Sequence, residues 1–375
     1  MKKKIIAFII AASAFSLFAV DFGGVLTNNS TLKNAQEGSS LKLNQKNSLT
    51  LWLKLPFDQT NSKSLAVQGK YQFEGDFVQK QNYNALNLDI FKFTLKKQNC
   101  TLTAGRFFYA DTSSLIYSQN GDGIKADYVS PNFELSAYAF YTGLLNSHFT
   151  TILDFQKEQN KSKLYDLCPD YFTAGIKAVF PYLFYEQTLS AECLSAFRTS
   201  LNTDSRTYLE LSLSGPLPLE NIFYNANTAF LLRKTDSFSV SNLTNLSLLY
   251  FLPFKSSVVS LNCVYASGEN GIFKPFTGFT SQTAIKSLFE MEYSSLLKTG
   301  ISFSIKPAEK LLAKLSADIA LSAENSISYA GTQTALNLMW QPLSDIFIGA
   351  DCSLYFSKNK DQDKTELSLK AGINF

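Results

Sequence analysis

The single histidine of the chain, His148, follows Asn146 and Ser147 in the segment GLLNSHFT. A serine next to a histidine suggests a nucleophilic hydrolase, but such a pair works only when a third group orients the imidazole ring. The sequence offers no such group at a fitting spacing, and the three residues begin a polar segment. We therefore predict a histidine in a solvated loop, no catalytic residues and no enzymatic activity.

Metal and cofactor sites are equally poorly supported. Asp361 and Asp363 lie among lysines in a charged segment, which favours a solvated loop over a calcium site. The cysteines form neither a CxxC pair nor a cluster with histidine, so we expect no zinc, no other metal and no cofactor. Their number is odd and their spacing indicates no disulfide framework: Cys100, Cys168, Cys193, Cys263 and Cys352.

The N-terminus has the pattern of a secretory signal peptide. Lys2, Lys3 and Lys4 precede an apolar run that ends near Ala19, and this run is too short for a spanning helix. We predict a signal peptide over residues 1–19 and a single folded unit over residues 20–375. The three lysines equal the whole net charge of +3, so the remaining chain is formally neutral and no nucleic-acid partner is expected.

Most of the chain alternates between apolar and polar residues with a period of two. This holds for LTLWLKLPF (49–57), LLAKLSADIALSA (311–323) and DIFIGADCSLYF (345–356). A period of two is typical of strands with one apolar face, and it excludes amphipathic helices. Aromatic residues make up 14% and charged residues only 17% of the chain, which favours an outer surface that faces lipid.

Tight and long connections alternate between these segments along the chain. The tight ones contain proline, at 130–131, 181, 215–220, 253, 307–310 and 341–342. The longer, polar ones are 110–122, 144–170, 234–240, 267–282, 324–332 and 358–363. This alternation is typical of a transmembrane barrel with short turns at one end and longer loops at the other.

The predicted fold class is therefore all-β, a transmembrane antiparallel up-and-down β-barrel of about 18 strands. In this topology residues 21–28 form a short first strand and residues 283–306 form one long strand. If residues 21–46 lie outside the sheet, or if strand boundaries merge, the count falls to about 16, which is also an even number.

The last segment, KTELSLKAGINF, is an amphipathic strand that ends on an aromatic residue. It resembles the final strand of outer-membrane β-barrels, and the pattern of the whole chain is similar to general porins and to the porin-like barrels of spirochaetes. The resemblance implies a bacterial outer-membrane location, with membrane lipid and the barrel insertion machinery as partners. The residues expected to face lipid are Leu367, Leu369, Ala371, Ile373 and Phe375.

Charged residues on the opposite parity are predicted to line a water-filled lumen. Both signs occur, which favours a transverse field and weak ion selectivity. These candidates are Lys54, Arg106, Lys125, Asp127, Glu134, Lys177, Glu186, Asp318, Asp351 and Lys370. Residues 110–122 and 144–170 contain apolar side chains that are costly on a solvated loop, so we expect one or both of these connections to fold inward and narrow the lumen.

The function that fits these features best is passive diffusion of small hydrophilic solutes through an outer-membrane channel. Two alternatives remain open, a transporter of hydrophobic compounds with a lateral opening and a surface adhesin on a barrel base. The sequence does not distinguish a monomer from a homo-oligomer.

Overall fold

A computed structural model describes residues 20–375 except for 35–40, 78–80, 154–159, 161, 200–203, 236, 270–271, 281–292, 325 and 359–362. The predicted signal peptide and Asp361 lie outside the described residues. Within them, no helix has the length and apolar character needed to cross a bilayer.

The described chain forms one antiparallel sheet of 18 strands. The strands are β1 (Asp21–Asn34), β2 (Leu41–Pro56), β3 (Lys63–Asp76), β4 (Gln81–Lys97), β5 (Cys100–Ala110), β6 (Ser118–Val129), β7 (Glu134–Tyr141), β8 (Tyr171–Phe180), β9 (Thr188–Arg198), β10 (Ser205–Pro216), β11 (Ile222–Lys234), β12 (Phe238–Leu252), β13 (Ser257–Ala266), β14 (Leu296–Ala308), β15 (Leu311–Ser322), β16 (Ser328–Leu343), β17 (Ile346–Ser357) and β18 (Lys364–Asn374).

Each strand pairs with its neighbours in sequence, and β1 pairs with β18, so the sheet closes into a barrel. At the closure, Gly24 and Phe375 exchange main-chain hydrogen bonds of 2.8 and 3.0 Å. A Cβ atom on Gly24 would lie 2.5 Å from the Phe375 ring, so a larger residue here would require the ring to shift. The prediction of about 18 strands is confirmed, and the count of 16 is wrong because β1 lies within the sheet.

The two faces of the wall differ as the alternation predicts. On β18, the side chains of Leu367, Leu369 and Ile373 are 45%, 64% and 42% exposed, and Ala371 and Phe375 are exposed too. On the opposite face, Glu366 and Ser368 are only 3% and 1% exposed. The outer surface is therefore apolar and the inner surface polar, which is the reverse of a soluble protein.

Several boundaries differ from the predicted ones. Strand β1 extends to Asn34 rather than 28. Strand β14 begins at Leu296, and residues 283–292 of the predicted long strand lie outside the described residues. Ser295 precedes β14 with a φ of 50°, so the backbone bends there before the strand begins. Residues 118–122 belong to strand β6, which shortens the predicted connection 110–122 to 111–117.

We call the end of the barrel that holds the proline-bearing turns and Phe375 the tight-turn end. The opposite end is the long-connection end, and it carries the connections 111–117, 142–170 and 267–295. The functional site depends on this arrangement, because parts of all three connections meet inside the barrel.

Candidate functional site

The lumen is narrowed at the long-connection end by three connections that bind one another. The main-chain oxygen of Ile116 accepts hydrogen bonds from the amides of Phe279 and Thr280, at 3.1 and 2.9 Å. The amide of Leu153 donates to the main-chain oxygen of Phe279 at 3.0 Å. Residues 111–117, 152–153 and 275–280 of these connections therefore form one assembly, which we call the plug.

Aromatic side chains fill the space between the plug and the wall. Tyr109 and Tyr138 project inward from β5 and β7, with ring centroids 4.2 Å apart. Tyr117 of the plug stacks on Phe279 at 5.8 Å, and the Phe279 side chain is fully buried. Burial also raises the pKa of the Tyr117 hydroxyl, which therefore stays protonated. Phe276 extends this cluster towards Tyr208 on β10.

Glu192, on the inner face of β9, anchors the first connection of the plug. Its carboxylate accepts hydrogen bonds from the amide and hydroxyl of Thr112, both at 2.8 Å, and from the hydroxyl of Tyr109 at 2.6 Å. Tyr138 donates to the same carboxylate. Lys177 of β8 lies 3.8 Å away and balances the charge.

Arg206, on the inner face of β10, anchors the other two connections. Its buried guanidinium donates to the main-chain oxygens of Gly278 and Leu153, each at 3.2 Å. Asp204 lies 2.8 Å from the same guanidinium and 3.1 Å from that of Arg233. Burial works against ionisation of Asp204, but the hydrogen bonds and charge of Arg206 together with Arg233 outweigh it and lower the pKa of this carboxyl.

Most of the predicted lumen residues lie on the inward parity, and several are held in ion pairs. Lys125 pairs with Asp127 at 2.9 Å, and Lys298 of β14 pairs with Asp318 at 3.4 Å. Lys370 pairs with Asp351 at 2.5 Å. The inner wall therefore carries charges of both signs in close alternation.

Lys54 and Glu134 share this inward parity, but they lie near the tight-turn end and are exposed. A cavity of about 530 Å³ adjoins β4 to β8 and is lined in part by Lys125, Asp127 and Lys177. Predicted lumen residues thus surround an open space on the tight-turn side of the aromatic cluster.

Two predicted lumen residues are placed elsewhere. Glu186 lies in the turn between β8 and β9, exposed and with a φ of 62°, so the alternation does not extend to it. Arg106 lies on the outward parity of β5, together with Leu102 and Phe108, yet only 6% of it is exposed. Its charge is paired with Asp122 at 2.6 Å and covered by residues of the connection 142–170.

His148 lies in the connection 142–170, as predicted. Its Nε2 atom is 2.9 Å from the main-chain oxygen of Lys163, and its ring stacks on Tyr83 at 5.5 Å. The hydroxyl of Ser147 donates to Asp166 at 3.2 Å. The hydrogen bonds of Ser147 and His148 thus run to different partners, which is not the geometry of a nucleophile activated by a base.

Among the described residues, no group of three or more histidine, cysteine or acidic side chains is arranged to hold a metal ion. Asp363 instead accepts a hydrogen bond from the amide of Ser357 at 2.8 Å.

The inward fold of the third connection was missed by the sequence analysis. Phe276 and Phe279 carry the same signal that singled out the other two connections, since large aromatic side chains are costly on a solvated loop. Arg206 was missed as well, because nothing in the alternation distinguishes an anchoring arginine from a solvated one.

Comparison with known proteins adds information on the fold. No protein-family model and no curated protein matches the sequence. Solved structures do match. OccK9 (OpdG) of Pseudomonas aeruginosa is 9% identical with a TM-score of 0.66, and the match covers 95% of this chain and 98% of that one.

Two further barrels of Pseudomonas aeruginosa are similar to the same extent. OpdQ is 11% identical with a TM-score of 0.65, covering 95% of this chain and 97% of that one. OpdK, solved with vanillate, is 11% identical with a TM-score of 0.62, covering 95% and 98%. The chain shares their fold. The match spans nearly the full length of each of these proteins, so the similarity extends over the whole barrel.

Proposed function

We propose that the chain spans a bacterial outer membrane as a porin-like channel for passive diffusion of small hydrophilic solutes. The observation that carries this proposal is the closed wall of 18 strands with an apolar outer face and ion pairs on its inner face. Lipid does not satisfy main-chain polar groups, so a spanning sheet has to close, and barrels of this size leave an aqueous interior.

The structural neighbours support the same location. OpdK is an outer-membrane protein of Pseudomonas aeruginosa, and it has this fold. The proposed partners are membrane lipid, small solutes and the insertion machinery that reads a final strand ending on an aromatic residue such as Phe375. A signal peptide over residues 1–19 fits export to that membrane, and a homo-oligomer is a further proposal.

The plug sets the size limit for solutes in this proposal. It is bound to one side of the wall, through Glu192 on β9 and Arg206 on β10 and through Ser241 on β12, which donates to the main-chain oxygen of Pro275 at 3.1 Å. A plug held at several points leaves a fixed, narrow passage. The paired charges below it favour polar solutes over apolar ones without strong selection for one sign.

Liposome swelling with sugars of graded size tests the proposal. We expect swelling with the smallest sugars that falls steeply with solute size, because the plug limits the passage. Protein that is folded, as judged by heat-dependent mobility on gels, and that gives no swelling with any sugar would contradict the proposal. The same experiment separates a channel from an adhesin that uses the barrel only as a base.

Transport of apolar or amphiphilic compounds remains the second candidate. The observation that favours it is the aromatic lining around Tyr109, Tyr138 and Phe140, next to an unusual part of the wall that is described below.

A further inference from the structure

Strands β4 and β5 are paired over only part of their length. The ladder runs from Lys97 opposite Cys100 to Phe91 opposite Arg106, and it ends there although β4 continues to Gln81. On the other side of the same hairpin, the β6–β7 ladder ends at Asp122 opposite Tyr141. In the described ladders, residues 107–121 are therefore paired only within their own hairpin.

The backbone leaves the wall at Gly105. This residue has a φ of 109°, and a Cβ atom on it would lie 2.0 Å from the main-chain oxygen of Phe91, so no other residue fits. Beyond this point the tip of the hairpin leans into the lumen, where Thr112 binds Glu192. The outer part of the wall beside β4 is thus left for another segment to close.

Residues 142–147 and 164–170 close it, and we call them the panel. They form a small hairpin through hydrogen bonds from Ser147 N to Asp166 O at 2.7 Å and from Cys168 N to Leu145 O at 2.9 Å. The panel joins β4 at Leu86. The Leu86 amide donates to Leu164 O at 3.0 Å, and the Leu86 oxygen accepts from Asn146 Nδ2 at 2.8 Å.

The outer surface of the panel is apolar. Leu144, Leu164 and Leu167 are 53%, 47% and 49% exposed, values like those of the leucines on the neighbouring strands. The panel is therefore part of the surface that faces the bilayer and not a loop in solvent. It differs from the rest of that surface because a connection, rather than a strand in the ladder, supplies it.

Arg106 lies behind the panel and ties it to three strands. Its guanidinium binds Asp122 of β6 at 2.6 and 2.7 Å and the main-chain oxygen of Leu88 of β4 at 3.0 Å. It also binds two groups of the panel, the oxygen of Leu144 at 2.9 Å and the hydroxyl of Tyr165 at 3.0 Å. When the panel moves away, these last two acceptors leave and their donors on Arg106 need new partners.

We propose that the panel is a lateral port, through which amphiphiles with one anionic head and an apolar tail pass between the lumen and the bilayer. This rests on the membrane location proposed above. A carboxylate head would replace Leu144 O and the Tyr165 hydroxyl on Arg106, because anions accept from a guanidinium more strongly than neutral groups do. The exposed side chains of Leu86 and Leu88 offer the tail an apolar surface, and Phe107 and Phe140 line the inner side.

The port is closed in the structure and is built to open locally. Segments joined by few main-chain hydrogen bonds separate at a lower free-energy cost than strands in a continuous ladder. The remaining wall strands do not move in this proposal, so passage along the barrel axis and passage through the port are separate.

A reversible cross-link tests the port. In a background with the five native cysteines replaced by alanine, Leu86→Cys and Leu164→Cys place two thiols on adjacent outward positions across the panel edge. A fatty acid with a diazirine in its tail is incorporated into the bilayer and photolysed, and labelled residues are mapped by mass spectrometry. We expect inward residues such as Phe107 and Phe140 to be labelled in the reduced protein, and their labelling to fall at least tenfold on oxidation.

The matched control is Leu209→Cys with Phe230→Cys, an outward pair that lies face to face in the regular β10–β11 ladder. Oxidation of this pair should leave the labelling unchanged. Equal inward labelling in the locked and unlocked panel, or none in either, would overturn the port.

Single-channel conductance is recorded on the same samples. Conductance that persists in the locked protein while inward labelling falls supports a separate lateral route. If locking abolishes conductance as well, the panel belongs to the axial passage and the port is overturned. A folded protein without conductance in any state contradicts the proposed channel instead, which keeps the two failures distinguishable.

Discussion

The guanidinium of Arg206 donates a 3.2 Å hydrogen bond to the main-chain oxygen of Gly278, 72 positions further along the chain. The same group reaches Leu153 of a second connection and Asp204 of its own barrel end. One wall residue thus holds two of the three connections that narrow the lumen. The width of the passage is therefore expected to depend on this side chain more than on any residue of the plug itself.

Replacing Arg206 with alanine should widen the passage. The substitution removes hydrogen bonds from a charged donor that contribute about 1.5–3 kcal/mol each. It leaves the oxygens of Gly278 and Leu153 without this partner, so the plug should detach from β10. Single-channel recording should show larger and noisier conductance steps than in the unaltered protein.

Arg233→Ala is the matched control for this effect. Arg233 contacts the same carboxylate of Asp204, from the neighbouring strand β11. If both substitutions enlarge the conductance equally, the anchoring role assigned to Arg206 is incorrect. Arg206→Lys should give an intermediate result, because an ammonium group lacks the planar fork that serves both oxygens and the carboxylate together.

Acidic pH should loosen the same anchor. The pKa of Asp204 is lower in the folded protein than its ordinary value, because Arg206 and Arg233 outweigh the effect of burial. The stabilisation from this carboxylate is thus fully present above an unfolded pKa of about 4. It is lost as the pH falls through the lower folded-state pKa. Current noise should therefore rise below about pH 4. Asp204→Asn should show that noise at neutral pH and respond less to acid.

Charge substitutions on the inner wall should shift ion selectivity in opposite directions. Lys298→Gln leaves Asp318 without its ammonium partner and should favour cations, whereas Asp351→Asn does the same to Lys370 and should favour anions. A shift of roughly twofold in the permeability ratio, read from reversal potentials in a salt gradient, is the expected size for one charge in a wide lumen. Glu186→Gln is the control, since Glu186 lies in a turn outside the wall, and it should shift the ratio far less.

Lysine substitutions on β18 should reveal the depth of the membrane. At Leu369, on the outer face towards the middle of the wall, lysine should destabilise the folded barrel by about 2–4 kcal/mol. At Ile373, close to the tight-turn end, the cost should be about 0–1 kcal/mol because the side chain reaches the interface. Urea titration in lipid vesicles measures both, and equal costs would contradict a bilayer around the barrel.

The wall could be predicted from the sequence because its physics is local. Alternate side chains of a strand lie on opposite faces of the sheet. Leu367 and Leu369 therefore identified the outer face of β18 without any knowledge of the neighbouring strands. Proline-bearing turns such as that near Pro253 fixed the direction of successive strands. These signals repeat along the whole chain, and errors at single boundaries, such as the end of β1, do not change the topology.

The interior could not be predicted because its contacts join distant parts of the chain. Arg106 was assigned to the lumen by alternation, together with the other charged residues. It lies instead on the outward parity of β5, where Leu144 and Tyr165 from another connection cover its charge. The sequence of β5 does not indicate this cover. The contact of Arg206 with Gly278 is equally invisible in the sequence, since it depends on how far a connection folds into the barrel.

The central claim is that the closed wall surrounds a passage for water and ions. Voltage-clamp recording of the purified, folded protein in a planar bilayer tests this most directly. The account predicts discrete current steps that rise in proportion to salt concentration and grow larger when Arg206 is replaced with alanine. Folded protein that is inserted in the bilayer and gives no steps, with or without that substitution, would contradict it.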